Sequence, residues 1–308
     1  MRPLARTAIG TALVCGVLVT AVSIGHGSNS NDSKKQPKGP YVALGDSYTA
    51  GPKIPDQTGS PAGCDRSSHN YPALVAKAVG VTAADFHDVS CSGATIAQLT
   101  APQSTSNGTN PAQFSALSAT TRLVTLGIGG NDIGFSSMIT QCVATGVLYK
   151  VADKIGDISN KAPCKEKYTS GNTDQVAQRI STAGGELARA LAGIRHRAPL
   201  ARIYVVGYPS ILPADGAGCG DQMPLAPGDV TFLHQKEQQL NTMLSETAKA
   251  AGATYVDTFT PSIGHDACAP ADTRWIEPLK PSSPAAVVHP NQRGEQGMAT
   301  AVLRVLKS

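Results

Sequence analysis

The chain has 308 residues, 41% hydrophobic and 16% charged, the composition of a globular protein with one sizeable core. Its formal net charge of +4 is small for that length, and no Lys/Arg block is interleaved with aromatic residues. A nucleic-acid partner is therefore not expected.

At the N-terminus, Arg2 and Arg6 precede an uncharged run over residues 7–24, "TAIGTALVCGVLVTAVSI". Residues 1–24 read as a secretory signal peptide, with a weak cleavage site after Ala21-Val22-Ser23. A retained membrane anchor is the rival reading, because about 18 apolar residues is near the minimum for a span. The first predicts a secreted protein, the second one anchored at the cell envelope. Residues 25–38 are polar and read as a flexible linker, which leaves 39–308 as a single domain.

With Cys15 inside the apolar run, six cysteines remain: Cys64, Cys91, Cys142, Cys164, Cys219 and Cys268. An even number in an exported chain predicts three disulfides among the many connectivities six cysteines admit. Sequential pairing is favoured, since each pair then staples one loop-rich stretch. No CxxC and no His pair at helical ligand spacing occurs, so neither a metal nor another cofactor is expected.

Five short β-rich runs are predicted, at 41–44, 85–89, 123–128, 202–206 and 254–256. Amphipathic patterns over 173–196 and 229–251 predict long helices ending at Pro199 and Gly252, and a last helix spans 295–306. Strands alternating with helices predict a parallel sheet covered on both faces, with the reactive crevice beyond the carboxyl ends of its strands. Residues 135–171, 209–228 and 259–288 lack periodicity and read as disulfide-stapled loops around a pocket.

The chemistry concentrates at strand ends. The first strand runs into "YVALGDSYTAG", which puts Ser47 directly after it. Alone, such a serine is more often a helix cap than a nucleophile. The third strand ends in "LGIGGNDIGF", where Asn131 can aim its amide at the atom Ser47 attacks. "DVSCSGAT" follows the second strand, and Gly93 lets a backbone N–H approach a substrate oxygen with no Cβ in the way. "AVVHPNQRGEQGMA" sets His289 just before the last helix.

Gly45-Asp46-Ser47, Gly93, Gly129-Gly130-Asn131-Asp132 and His289, in this order and on this strand spacing, resemble the SGNH (GDSL-type) hydrolase family. The surroundings are most similar to secreted actinobacterial esterases and lipases, including the Trp-containing segment at Arg274-Trp275-Ile276-Glu277-Pro278. The resemblance implies an α/β, flavodoxin-like three-layer sandwich whose five-stranded parallel sheet has order 2-1-3-4-5. It also implies ester hydrolysis with Ser47 as nucleophile, His289 as base, and an oxyanion hole from Ser47, Gly93 and Asn131. Members of the family often carry an Asp three residues before the His, but here that position is Ala286. A Ser47–His289 dyad is therefore expected, with a main-chain carbonyl of Ala286 or Val287 receiving the imidazole N–H. Asp272 and Glu277 are the fallback acids.

A small-molecule or lipid ester is the expected substrate, met by a monomer in transient contact with a lipid surface. Two other readings share the fold: a carbohydrate O-acetyl esterase, and a non-catalytic envelope protein. The first would be marked by an appended binding module or sugar-stacking aromatics, the second by loss of the serine, histidine or asparagine. A single Trp and the presence of all three residues disfavour both.

Overall fold

The structure is a computed structural model and describes residues 39–155 and 161–308. The signal-peptide and linker readings fall on residues 1–38 and lie outside the described residues. Five strands form the central sheet: β1 Tyr41–Gly45, β2 Phe86–Asp88, β3 Leu123–Gly127, β4 Arg202–Val206 and β5 Thr254–Val256. Their order across the sheet is β2-β1-β3-β4-β5, and every pairing is parallel. Four further short strands, which the sequence patterns do not announce, form two antiparallel hairpins outside this sheet, Gln57–Thr58 with Arg66–Ser67 and Gln103–Thr105 with Gly108–Asn110.

Alternation along the strands divides the core in two. Val42, Leu44, Val124, Leu126, Ile203 and Val205 belong to one apolar cluster. It is covered by helices α3 Phe135–Lys154, α5 Gln175–Arg197 and α6 Pro227–Ala250. Tyr41, Ala43, Leu123, Tyr204, Val206 and Val256 belong to the other, under α2 Tyr71–Val79 and α7 Gln292–Lys307. The result is the three-layer α/β sandwich that strand–helix alternation predicts, and all strands point their carboxyl ends the same way.

Local rules set the helix ends. Asp174 caps α5 by accepting from the Ala177 N–H at 2.9 Å, and Arg195, His196 and Arg197 occupy its last turn, where the helix dipole favours positive charge. Pro227 starts α6, a position where its missing N–H costs nothing. The short helices α1 Ser47–Ala50 and α4 Pro163–Tyr168 complete the set. Three disulfides, Cys64–Cys91, Cys142–Cys164 and Cys219–Cys268, tie the surrounding segments.

The stretch 135–171 departs from its reading as a loop, because its first twenty residues form α3. The reason is visible in its side chains. Phe135, Met138, Ile139, Cys142 and Gly146 are buried, whereas Val147, Leu148 and Val151 are exposed on the same helix, as is Ile155 at its C-terminal end. Apolar residues thus surround the helix and erase the one-sided pattern by which an amphipathic helix is recognised.

Candidate active site

Ser47 opens α1, at the carboxyl end of β1 in the middle of the sheet. Three local features make this turn. A Cβ on Gly45 would lie 2.6 Å from the Gly127 carbonyl oxygen and collide with Thr49 Oγ1, so only glycine lets β1 pass this close to β3. The Gln113 side chain pairs with both sides of that glycine, accepting from its N–H at 2.8 Å and donating to its C=O at 2.9 Å. Asp46 then caps α1 through Oδ1, which accepts from the Tyr48 N–H at 2.9 Å.

His289 reaches the same point from the other end of the chain. Its Nε2 lies 2.8 Å from Ser47 Oγ, and its Nδ1 lies 2.7 Å from the Val287 carbonyl oxygen. A carbonyl can only accept, so Nδ1 carries the hydrogen in the neutral ring and Nε2 is left as the acceptor facing the hydroxyl. Of the two carbonyls considered, Val287 meets the ring and Ala286 does not; the Ala286 N–H instead bonds to Pro52 O. Asp272 is an exposed loop residue and Glu277 binds other partners, so neither carboxylate takes the Nδ1 position. Burial pushes the imidazole below its ordinary 6.5; the Val287 bond opposes this and the nearby Lys53 charge reinforces it.

The histidine loop is held by distant partners. Val288, next to the ring, has φ +59°, a left-handed conformation that costs a β-branched residue about 1–3 kcal/mol. Its N–H donates to Glu277 O at 2.8 Å, the Glu277 N–H donates to His289 O at 3.0 Å, and Tyr48 Oη donates to Val288 O at 2.6 Å. The Glu277 carboxylate accepts from Asn291 Nδ2 at 2.7 Å and the Ser282 N–H at 2.8 Å. Asn291 in turn caps α7 through Oδ1. Glu277 therefore shapes the loop without touching the imidazole. Trp275 takes part from behind: it stacks on His265, and its carbonyl accepts the Asn291 N–H.

The GGND turn after β3 faces this pair. Asn131 donates through Nδ2 to Ala94 O at 2.9 Å, and Asp132 accepts from the Ile96 N–H through both carboxylate oxygens. These bonds fix the Gly93–Ala94 segment against the turn, while the Cys91 N–H ties the same segment to Gly45 O at 3.0 Å. Gly93 has φ +79° and is exposed, and neither its N–H nor that of Ser47 has a protein acceptor among the described residues. Asn131 has a second amide hydrogen beyond the one given to Ala94.

Tyrosines 48 and 208 join these parts, and sequence patterns give no reason to choose Tyr208. Tyr208 Oη donates to Asp46 Oδ2 at 2.5 Å and accepts from the Gly130 N–H at 2.8 Å, which locks the serine turn to the GGND turn. The two rings meet edge to face, and Tyr48 also lies against the His289 ring at 4.9 Å between centroids. Burial raises the Asp46 carboxyl to about 7 despite the two donors it faces. Adjacency to Ser47 was the sole available clue to Tyr48.

Beside the pair opens a cavity of about 160 Å³ whose walls include Phe135, Ile139, Ile211, Leu240, Leu279 and Val287. The loops expected to wall the pocket contribute, but Phe135 and Ile139 do so from α3 and Leu240 from α6. Glu237 also lines it; its Oε2 accepts the Ile211 N–H at 3.0 Å, Oε1 has no partner among the described residues, and burial pushes its carboxyl well up.

The geometry defines a hydroxyl–imidazole pair next to an apolar cavity on a doubly covered parallel sheet, and the chain that carries it is similar to known proteins over most of its length. The GDSL-like lipase/acylhydrolase family model matches residues 43–296. Lipase 2 of Streptomyces coelicolor is 41% identical over 268 residues, 86% of this chain and 85% of its own length. An esterase of Streptomyces scabiei is 30% identical over 85% of this chain and 84% of its own. Among solved structures, phospholipase A1 from Streptomyces albidoflavus superimposes with a TM-score of 0.68 at 29% identity, covering 87% of this chain and 98% of that one. The extracellular lipase from Streptomyces rimosus gives 0.64 at 25%, covering 87% and 99%. The chain belongs to the GDSL-like lipase/acylhydrolase family. It is a carboxylic ester hydrolase, and its substrates are small-molecule esters.

Proposed function

We propose that this hydrolase works through an acyl-enzyme formed on Ser47, with His289 as its only proton carrier. The single observation that supports the reading best is the 2.8 Å approach of His289 Nε2 to Ser47 Oγ while Nδ1 is committed to Val287 O. Nε2 takes the Ser47 proton as Oγ bonds to the ester carbonyl carbon. The resulting oxyanion is met by the N–H groups of Ser47 and Gly93 and by the second Nδ2 hydrogen of Asn131. The tetrahedral species collapses, the C–O bond to the alcohol breaks, and His289 returns its proton to the departing oxygen. Water then repeats the cycle on the acyl-serine and releases the acid. A carbonyl fixes the tautomer but brings no full charge to stabilise imidazolium, so Val287 assists less than a carboxylate does.

The apolar walls favour an acyl chain over a sugar, so we assign lipid and simple acyl esters as substrates ahead of acetylated carbohydrate. The working unit is a monomeric domain over residues 39–308. It is exported by the signal at residues 1–24, with retention at the envelope if that segment is not cut. Three disulfides are consistent with an oxidising destination.

A series of p-nitrophenyl esters from acetate to palmitate tests this directly. Ser47→Ala should lose at least about 10³-fold in kcat on every ester that the wild type cleaves. Full hydrolysis by the alanine variant would remove the mechanism. Preference for acetate together with release of acetate from acetylated xylan would shift the assignment to a carbohydrate esterase.

A further inference from the structure

The far half of α3 carries an apolar surface that neither the fold nor the catalytic pair uses. Val147, Leu148, Val151 and Ile155 are 48%, 70%, 58% and 75% exposed. Elsewhere, exposed large apolar residues are scattered, as at Leu200 and Ile263, and need no explanation. These four are contiguous. At 100° per residue, positions 136, 140, 144, 147/148, 151 and 155 form one row along the helix. Ser136 and Thr140, at the head of that row, line the cavity beside Ser47. The stripe therefore runs about 22 Å from the mouth of the substrate site, at about 1.5 Å per residue.

Charge accompanies it. Lys154 stands on the flank of the stripe, and Lys161, Lys165 and Lys167 are exposed next to it in sequence, on or beside α4. The Cys142–Cys164 disulfide ties α4 to α3. Among the described residues the exposed acids of the same region are Asp153 and Glu166, and the sequence adds Asp157 between Ile155 and Lys161, which leaves the four lysines a net excess of one positive charge. Lys150 is engaged by Asp221 and does not count toward this excess. An apolar row bordered by lysines is the pattern of a helix that lies in a lipid–water interface.

We propose that the face of α3 formed by Val147, Leu148, Val151 and Ile155, with Lys154 and the lysines of the α4 segment, docks the enzyme onto lipid surfaces bearing anionic headgroups. Docking sets the row that ends at Ser136 and Thr140 against the interface, so that an ester leaves the lipid layer close to the cavity. This rests on the reading of lipid esters as substrates, but it is a claim about binding and needs no turnover.

Two arms keep it separate from the catalytic reading. In the full chain carrying Ser47→Ala, co-sedimentation with phosphatidylcholine/phosphatidylglycerol vesicles is compared with and without Leu148→Ser, Val151→Ser and Ile155→Ser. The triple substitution should lower the partition coefficient at least about tenfold. Pure phosphatidylcholine should bind at least about fivefold more weakly than the mixed vesicles. In the Ser47 background, the triple variant should keep kcat/KM on soluble p-nitrophenyl butyrate and lose rate on the vesicles. Unchanged vesicle binding by the triple variant would overturn the assignment, whatever the catalytic result. So would a wild-type dimer that the triple variant dissociates, which would make a second copy the partner. Failure on the soluble ester by wild type would strike the catalytic reading and leave the docking result standing.

Discussion

The serine turn and the histidine loop meet at one hydrogen bond, yet they are built in opposite ways. Ser47 is placed by its neighbours: Gly45 allows the strand to pass, and Asp46 caps the helix that Ser47 opens. His289 is placed from afar, by backbone bonds to Glu277, by Tyr48 Oη bonded to Val288 O across 240 residues, and by a left-handed Val288 that these contacts hold. The serine thus inherits the rigidity of the sheet. The histidine depends on tertiary structure formed by other loops, so the two halves should fail differently when perturbed.

The serine side should break the whole fold. Gly45→Ala forces a Cβ toward the Gly127 carbonyl, which is backbone in the middle of the sheet and has nowhere to move. We expect destabilisation of about 3 kcal/mol or more, read as a lowered urea midpoint, with activity lost together with structure. A soluble, stable alanine variant would show that the turn is not the sterically determined one.

On the histidine side, activity should drop further than stability does. Glu277→Ala leaves one Asn291 Nδ2 hydrogen and the Ser282 N–H without their acceptor, while the other Nδ2 hydrogen keeps Arg274 O, at a cost of about 1–3 kcal/mol. The loop that carries His289 loses its support, so kcat should fall about tenfold or more at temperatures where the protein remains folded. Glu277→Gln, which keeps one of the two acceptor oxygens, should recover part of this. If Gln fails as badly as Ala while stability is normal, the carboxylate acts on the chemistry and not on the loop. Tyr48→Phe is milder: one bond to Val288 O is lost, for about 1 kcal/mol and a several-fold decrease in kcat, while KM for a short soluble ester stays near its original value.

The smallest effect concerns pH. Burial lowers the His289 pKa, and the proposed mechanism needs the neutral ring, so kcat/KM should rise with pH along a limb centred below the ordinary 6.5. Lys53→Met removes a charge that disfavours imidazolium, and should move that limb upward. Movement downward would mean that the limb belongs to another group.

The same contrast explains what could be read beforehand. Short apolar runs ending in glycine are local signals that located the sheet, whereas Ser47 and Asn131 were singled out through the ordered set of blocks that resembles the family, each block being weak alone. The imidazole's partner was less accessible, because choosing Val287 over Ala286 depends on the left-handed turn at Val288, which a valine does nothing to advertise. Tyr208 bonds Asp46 across 162 residues and resembles any core tyrosine in the sequence. In α3, the residues that hid the helix are the ones left exposed on its far half: apolar side chains on the open face contradict the one-sided pattern.

The most direct test is mass spectrometry of the enzyme quenched during turnover of a p-nitrophenyl ester, with peptide mapping of the adduct. An acyl group on the peptide carrying Ser47, absent from Ser47→Ala and no longer accumulating in His289→Ala, is the expected result. An acyl group on another residue, or rapid hydrolysis by both variants, would contradict the Ser47–His289 pair.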